Sequence, residues 1–178
     1  TLAQDLVQMD AGSWHGSEFA GVTVPTFCQA LEFCHSHGIW MNIEIKPAPG
    51  FEAETGRVVA QTAHEFLSHK DMPYSAWPLL SSFSYGALKA AKNTAPALAR
   101  GFLCKHIPSN WQDILEELGA FSLHTNHAHL TKTQVQMLNQ AAYPVFCYTV
   151  NEPARAQELC SWGVSSFCTD RLDLIPFE

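Results

Sequence analysis

The feature that most constrains the fold is a unit that recurs along the chain. Each unit is a short β-like run, a polar turn and then an amphipathic stretch, and the runs are residues 41–46, 79–83, 100–104, 121–126, 145–150 and 165–169. Alternating β and α units predict a parallel sheet with helices packed outside it. Six units in succession favour a (β/α)8 barrel over a doubly wound sheet, and no Gly-x-Gly-x-x-Gly follows a run to support the second fold.

The stretches between the runs carry local signals for helix ends. Apolar residues at helical spacing precede Gly119, which predicts a stop. Thr131 and Asn151 stand where helix N-caps are expected, and Asn151 is followed closely by a proline. Pro25 is predicted to open the helix that comes before the first run.

The length of the chain predicts an incomplete barrel. A complete one takes about 250 residues and at least about 200, whereas this chain has 178, and its first 24 residues contain no convincing strand. We predict a single domain, residues 1–178, in which 1–24 are a lead-in segment and 25–178 form about six βα units. Because the chain starts at Thr1 rather than Met, the two missing strands are expected to be N-terminal.

The charge and cysteine content narrow the class of protein. Ten Lys and Arg stand against 17 Asp and Glu, so the overall field opposes nucleic-acid binding, and no basic run predicts an anionic-membrane patch. No apolar stretch is long enough for membrane insertion, and no secretory signal opens the chain. None of the six cysteines forms a Cys-x-x-Cys pair. Buried, reduced thiols in a cytoplasmic protein are favoured over zinc or disulfides, and a homodimer is left open.

The first β-like run is unusually charged. Asn42, Glu44 and Lys46 share one face of the strand, and Ile43 and Ile45 share the other. In a barrel, the Ile face packs against the helices and the polar face points inward, near the strand end where such barrels place their chemistry. Buried charges need partners, and a divalent metal plus a phosphate would satisfy both charges. A structural Glu–Lys pair on a solvated face is the alternative.

Several motifs then resemble one enzyme family in the order in which they occur. The segment NIEIKP at residues 42–47 resembles the strand motif of the glycerophosphodiester phosphodiesterases. Matching segments are MDAGSW at 9–14, LSSF at 80–83, YTVN at 148–151 and CTD at 168–170. The closest likeness is to the cytoplasmic bacterial form.

This resemblance implies a barrel of the PLC-like phosphodiesterase type that hydrolyses glycerophosphodiesters to glycerol 3-phosphate and an alcohol. It implies that Glu44 is one of three carboxylates on a divalent metal, Mg²⁺ or Ca²⁺, and that Lys46 contacts the substrate phosphate. It also implies a histidine acid and base, in a His-Arg and a His-Asp motif. Those motifs and the expected Glu-x-Asp are absent from the chain, so no catalytic residue is predicted within it, and the chain alone is expected to be inactive.

Three more residues are candidates for substrate binding. Phe83 and Tyr148 either flank the alcohol part of the substrate or pack in the core, and His124 is either a substrate contact or an ordinary residue of the barrel rim. Two other functions remain open. One is a truncated barrel that serves only as a binding or structural unit; the other is a metal-dependent barrel enzyme of another kind, such as an isomerase or aldolase.

Overall fold

The computed structural model describes residues 2–70 and 72–175, and it contains one parallel sheet. The six strands are paired in chain order: β1 (Asn42–Glu44), β2 (Leu79–Ser82), β3 (Ala99–Cys104), β4 (Ser122–Asn126), β5 (Val145–Tyr148) and β6 (Ser166–Phe167). Each lies within or beside one of the six runs predicted from sequence, so that prediction is confirmed. The sheet forms part of a barrel, with helices on its outer side.

Seven helices of the described part of the chain alternate with the strands or precede them. Their bounds are α1 (Ala3–Leu6), α2 (Phe27–Ser36), α3 (Glu52–Ser68), α4 (Tyr85–Thr94), α5 (Trp111–Leu118), α6 (Lys132–Gln140) and α7 (Pro153–Trp162). One-turn 3-10 helices lie at Ser17–Phe19, Tyr74–Ala76 and His127–His129. Within the described ranges, no helix has the length and apolarity needed to cross a membrane.

Local signals predicted some helix ends correctly and others wrongly. Thr131 caps α6 with its hydroxyl, and Gly119 ends α5 in the left-handed conformation at φ 53°. The prediction that Pro25 opens a helix is wrong, because α2 begins at Phe27 behind a Thr26 cap that binds the Gln29 backbone N–H. The cap predicted at Asn151 is also wrong. The residue before α7 is Glu152, and the Asn151 amide has other partners.

The outer face of the sheet carries the hydrophobic core. Ile45 and Leu80 are buried there against small residues of α3 and α4, among them Ala60 and Ala87. A second cluster joins the outer faces of β3, β4 and β5 to α5, α6 and α7. Burying each large aliphatic side chain contributes about 1.5–3 kcal/mol relative to leaving it exposed. The predicted orientation of β1, with its Ile side toward the helices, is therefore confirmed.

One row of residues on the inner face of the sheet consists mainly of small and polar side chains. Glu44 pairs in register with Ser81, Ser81 with Gly101, and Gly101 with Ser122. These residues share the face that points into the barrel, opposite the aliphatic core. Because parallel strands all end at the same edge, the side chains that follow β1 to β6 gather around one rim, the carboxyl edge of the sheet.

Candidate functional site

Glu44 and Lys46 form a charged pair at the carboxyl end of β1. Lys46 Nζ lies 3.4 Å from Glu44 Oε2, and the side chains are 76% and 33% exposed, respectively. An ion pair this open to water contributes little to stability. The two charges are therefore accessible to a ligand, and the pair is compatible both with the predicted site and with the structural ion pair that the sequence left open.

A cavity of about 330 Å³ lies beside this pair. The ends of β1 and β2 and the start of α3 form its wall, which includes Glu44, Lys46, Glu52, Phe83 and Ser84. Carboxylates, an ammonium group and an aromatic ring thus face one space of small-molecule size.

Phe83 and Tyr148 meet each other at the same rim, although β2 and β5 are not neighbours in the sheet. Their ring centroids are 5.8 Å apart in an edge-to-face arrangement. The Tyr148 hydroxyl donates to the Cys104 carbonyl oxygen at 2.9 Å, so its ring reaches across the inner side of β4 toward β3. Burial, followed by the neighbouring Cys104 thiol and Glu44 carboxylate, raises the Tyr148 pKa to about 12. The phenol therefore stays protonated, and its proton is held by the protein.

The third predicted substrate contact, His124, lies elsewhere. Its side chain is almost fully buried at 3% exposure, with Nε2 2.8 Å from the Ser122 hydroxyl. The ring lies over Gly101 and packs against Phe146 at a centroid distance of 4.7 Å. It lines a different cavity of about 300 Å³, together with residues at the starts of strands, among them Asn42. The expected position at the rim therefore needs correction, and a substrate role for His124 stays a prediction that its position does not favour.

The environment of His124 keeps the ring neutral. Burial lowers its pKa to about 4, since the charged form loses its hydration. Within the described part of the chain, Nδ1 is buried and has no hydrogen-bond partner.

Asn151 and Asp170 join the last two strands at the rim. Asn151 Oδ1 accepts from the Asp170 backbone N–H at 2.9 Å and from the Thr169 hydroxyl at 3.2 Å, and its Nδ2 donates to the Asp170 carboxylate at 3.1 Å. This replaces the predicted helix cap. The amide continues the pairing between strands after the backbone bond from Val150 N–H to the Cys168 carbonyl oxygen. The YTVN and CTD segments therefore contact each other in the structure.

The oxygen donors at the charged end of β1 are too few to hold the divalent metal that the resemblance implies. Hard cations such as Mg²⁺ and Ca²⁺ take six or more oxygen ligands. Glu44 can supply one of these, but residues 2–70 and 72–175 contain no group of three or more His, Cys, Asp or Glu side chains placed to hold a metal ion. The residues that the structure describes therefore do not by themselves make a complete metal site.

Sequence reasoning missed part of the cavity wall. Glu52 and Ser84 stand at the starts of α3 and α4, where no strand pattern draws attention to them. Ser82 is buried, and its hydroxyl donates to the Ile45 carbonyl oxygen at 2.6 Å. This hydroxyl ties the ends of β1 and β2 together.

Comparison with known proteins bears directly on this arrangement. The sequence model of the Glycerophosphoryl diester phosphodiesterase family matches residues 2–174. A glycerophosphodiester phosphodiesterase of Caldanaerobacter subterraneus is 25% identical over 172 residues, covering 94% of this chain and 66% of the relative. One from Bacillus subtilis is 26% identical over 187 residues, covering 98% of this chain and 62% of the relative.

Solved structures agree with the family match. A phosphodiesterase of Oleispira antarctica, solved in complex with the product sn-glycerol-3-phosphate, is 36% identical with a TM-score of 0.84 and covers 96% of this chain and 67% of that one. A glycerophosphodiester phosphodiesterase of Parabacteroides distasonis, 18% identical with a TM-score of 0.74, shares the fold and covers 97% of this chain and 68% of that one.

The sheet, the charged end of β1 and the motifs that surround it define a phosphodiesterase-type (β/α) barrel, incomplete here at six strands. The chain belongs to the glycerophosphoryl diester phosphodiesterase family. It spans about two thirds of the length of the relatives described above.

Proposed function

We propose that the protein to which this chain belongs hydrolyses glycerophosphodiesters to sn-glycerol 3-phosphate and an alcohol. The observation that carries the proposal is the exposed Glu44–Lys46 pair at the carboxyl end of a barrel strand, beside a cavity of small-molecule size. The glycerol 3-phosphate bound to the Oleispira antarctica relative supports the substrate class. Family membership favours phosphodiester hydrolysis over the isomerase or aldolase alternatives.

In this proposal Lys46 binds the phosphate. Its ammonium group is mostly exposed and its flexible stem can follow the substrate, so it can neutralise charge that grows on the phosphoryl oxygens during the reaction. Electrostatic stabilisation of this kind is worth about a hundredfold or more in rate per group. Phe83 and Tyr148 form an aromatic wall that would flank the alcohol part of the substrate. Tyr148 does not act as the acid, because its hydroxyl donates to the Cys104 carbonyl oxygen and its pKa is raised to about 12.

Glu44 is proposed as one ligand of a divalent cation, Mg²⁺ or Ca²⁺, in the complete site. A cation there would neutralise phosphate charge and lower the pKa of a bound hydroxyl or water. Its remaining ligands, and the histidine acid and base that the resemblance implies, are not among the residues described here. For the chain on its own we therefore propose a binding or structural unit without catalytic activity. This is the truncated-barrel alternative that the sequence left open, applied to the isolated chain.

The experiment measures glycerol 3-phosphate release from glycerophosphocholine in the presence of Mg²⁺ or Ca²⁺. Two proteins are compared: the chain alone, and the chain extended at its amino terminus with the corresponding segment of the Oleispira antarctica relative. We expect turnover only in the extended protein. In it, Glu44→Gln and Lys46→Met should each lower kcat/KM by about a hundredfold.

Matched controls are Glu65→Gln on α3 and Lys132→Met on α6, which remove the same charges from exposed helix positions. Both should keep the activity of the extended protein. Robust metal-dependent turnover by the chain alone would show that the inactivity proposal is wrong. Wild-type activity in Lys46→Met would remove the phosphate role from that residue.

A further inference from the structure

Two histidines meet beyond the carboxyl ends of β3 and β4. His106 follows β3 and His129 ends the 3-10 turn that follows β4. Their ring centroids are 4.1 Å apart and the ring planes are inclined by 36°. Both residues are exposed, and within the described ranges neither ring has a hydrogen-bond partner in the protein. Two imidazoles with free nitrogens therefore stand side by side in water.

The backbone that carries His129 is held by side chains outside the pair. Asn126 Oδ1 accepts from the Ala128 backbone N–H at 2.8 Å and closes the turn. The Arg155 guanidinium donates to the carbonyl oxygens of His127 and Leu130. That guanidinium also stacks on the Trp162 ring at 4.6 Å. The turn is thus held in place by a side chain of α7, and these contacts leave the imidazole nitrogens of His106 and His129 unused.

We propose that His106 and His129 chelate a borderline divalent transition-metal ion, with Zn²⁺ as the representative ion. Neutral imidazole is a preferred ligand for such ions. With Zn–N distances of about 2.0–2.1 Å and tetrahedral geometry, the two ligating nitrogens stand about 3.4 Å apart. Tetrahedral ligation through these nitrogens places the two ring centroids about 5 Å apart. The two exposed rings, whose centroids lie 4.1 Å apart, reach that separation by changes of both side-chain torsions that move the rings apart.

The pair supplies two protein ligands, so water molecules would fill the other positions of the four-coordinate shell of Zn²⁺. Nitrogen ligands distinguish this site from the oxygen site proposed at Glu44, because Mg²⁺ and Ca²⁺ prefer oxygen. Both histidines belong to this chain, so the site does not depend on phosphodiesterase activity. A failure of the proposed hydrolysis would leave it untouched.

The test is Zn²⁺ titration of the reduced chain, followed by calorimetry and by the ring ¹⁵N resonances of the histidines. We expect the His106 and His129 resonances to move together with a single saturation curve. His106→Ala and His129→Ala should each weaken Zn²⁺ binding at this site by at least tenfold. The double variant should be no weaker than either single variant, because one histidine cannot chelate.

The control is His69→Ala, which removes a single exposed histidine at the end of α3. Its Zn²⁺ affinity at this site should match that of the unchanged chain, and thermal unfolding without metal should be the same in all variants because the three rings are exposed. Resonances that respond independently, or single variants that each lose less than threefold, would overturn the proposal.

Discussion

His124 should make the stability of this chain depend on pH in a way that a single substitution removes. The ring is buried, its pKa is lowered to about 4 by that burial, and its Nδ1 lacks a hydrogen-bond partner within the described part of the chain. In the unfolded chain a histidine titrates near pH 6.5. At a pH between these two pKa values, the histidine is protonated in the unfolded state but neutral in the folded state. The free energy of unfolding therefore falls as the pH falls.

The size of the effect follows from the two pKa values. The contribution is fully present above about pH 6.5 and is lost progressively as the pH falls toward 4. Between pH 7 and pH 5, proton uptake by the unfolded state costs about 2 kcal/mol, since each pH step between the two pKa values is worth about 1.4 kcal/mol. His124→Gln has no proton to take up and should lack this component.

The assay is urea unfolding of the chain and of His124→Gln at pH 7 and pH 5, followed by circular dichroism. Other groups also titrate in this range, so the measured quantity is the difference between the two proteins in their loss of stability. A loss about 2 kcal/mol larger in the unchanged chain corresponds to a midpoint difference of about 1 M urea. His69→Gln, at an exposed position, should behave like the unchanged chain. Equal losses in the chain and in His124→Gln would refute the reasoning.

Two further substitutions test packing and polar contacts. A Cβ at Gly101 would lie 2.3 Å from His124 Nε2, so Gly101→Ala should lower the free energy of unfolding by about 1–3 kcal/mol. In a protein that already carries His124→Ala, the same substitution should lower the free energy of unfolding by less. An equal loss with and without His124→Ala would contradict the steric explanation. Asn151→Ala removes three hydrogen bonds to Thr169 and Asp170 and should cost about 1–2 kcal/mol in urea unfolding. Asn151→Asp should cost more at neutral pH, because its carboxylate would face that of Asp170; a smaller loss than in Asn151→Ala would contradict this.

The sequence by itself determined the order of elements and the faces of the strands. Alternation of side chains has a period of two, so the charges of Glu44 and Lys46 had to share the face opposite Ile45. Short-range chemistry likewise predicted the Thr131 cap and the Gly119 stop, since the groups involved lie within a few residues of each other. The family motifs added a direction along the strand, because the chemistry of such barrels lies at its carboxyl end.

Only the tertiary structure decided how deep each inward side chain lies and which distant group it meets. His124 was expected at the rim but is buried against Gly101. Its distance from the rim depends on the register between neighbouring strands, which local sequence does not determine. The Tyr148 hydroxyl donates a hydrogen bond to a carbonyl oxygen 44 residues away in sequence. The Asn151 amide pairs with the next strand instead of capping its own helix, and β3 and β4 bring two separate histidines into contact. These contacts depend on the register and the curvature of the parallel sheet, which the local pattern of a sequence does not encode.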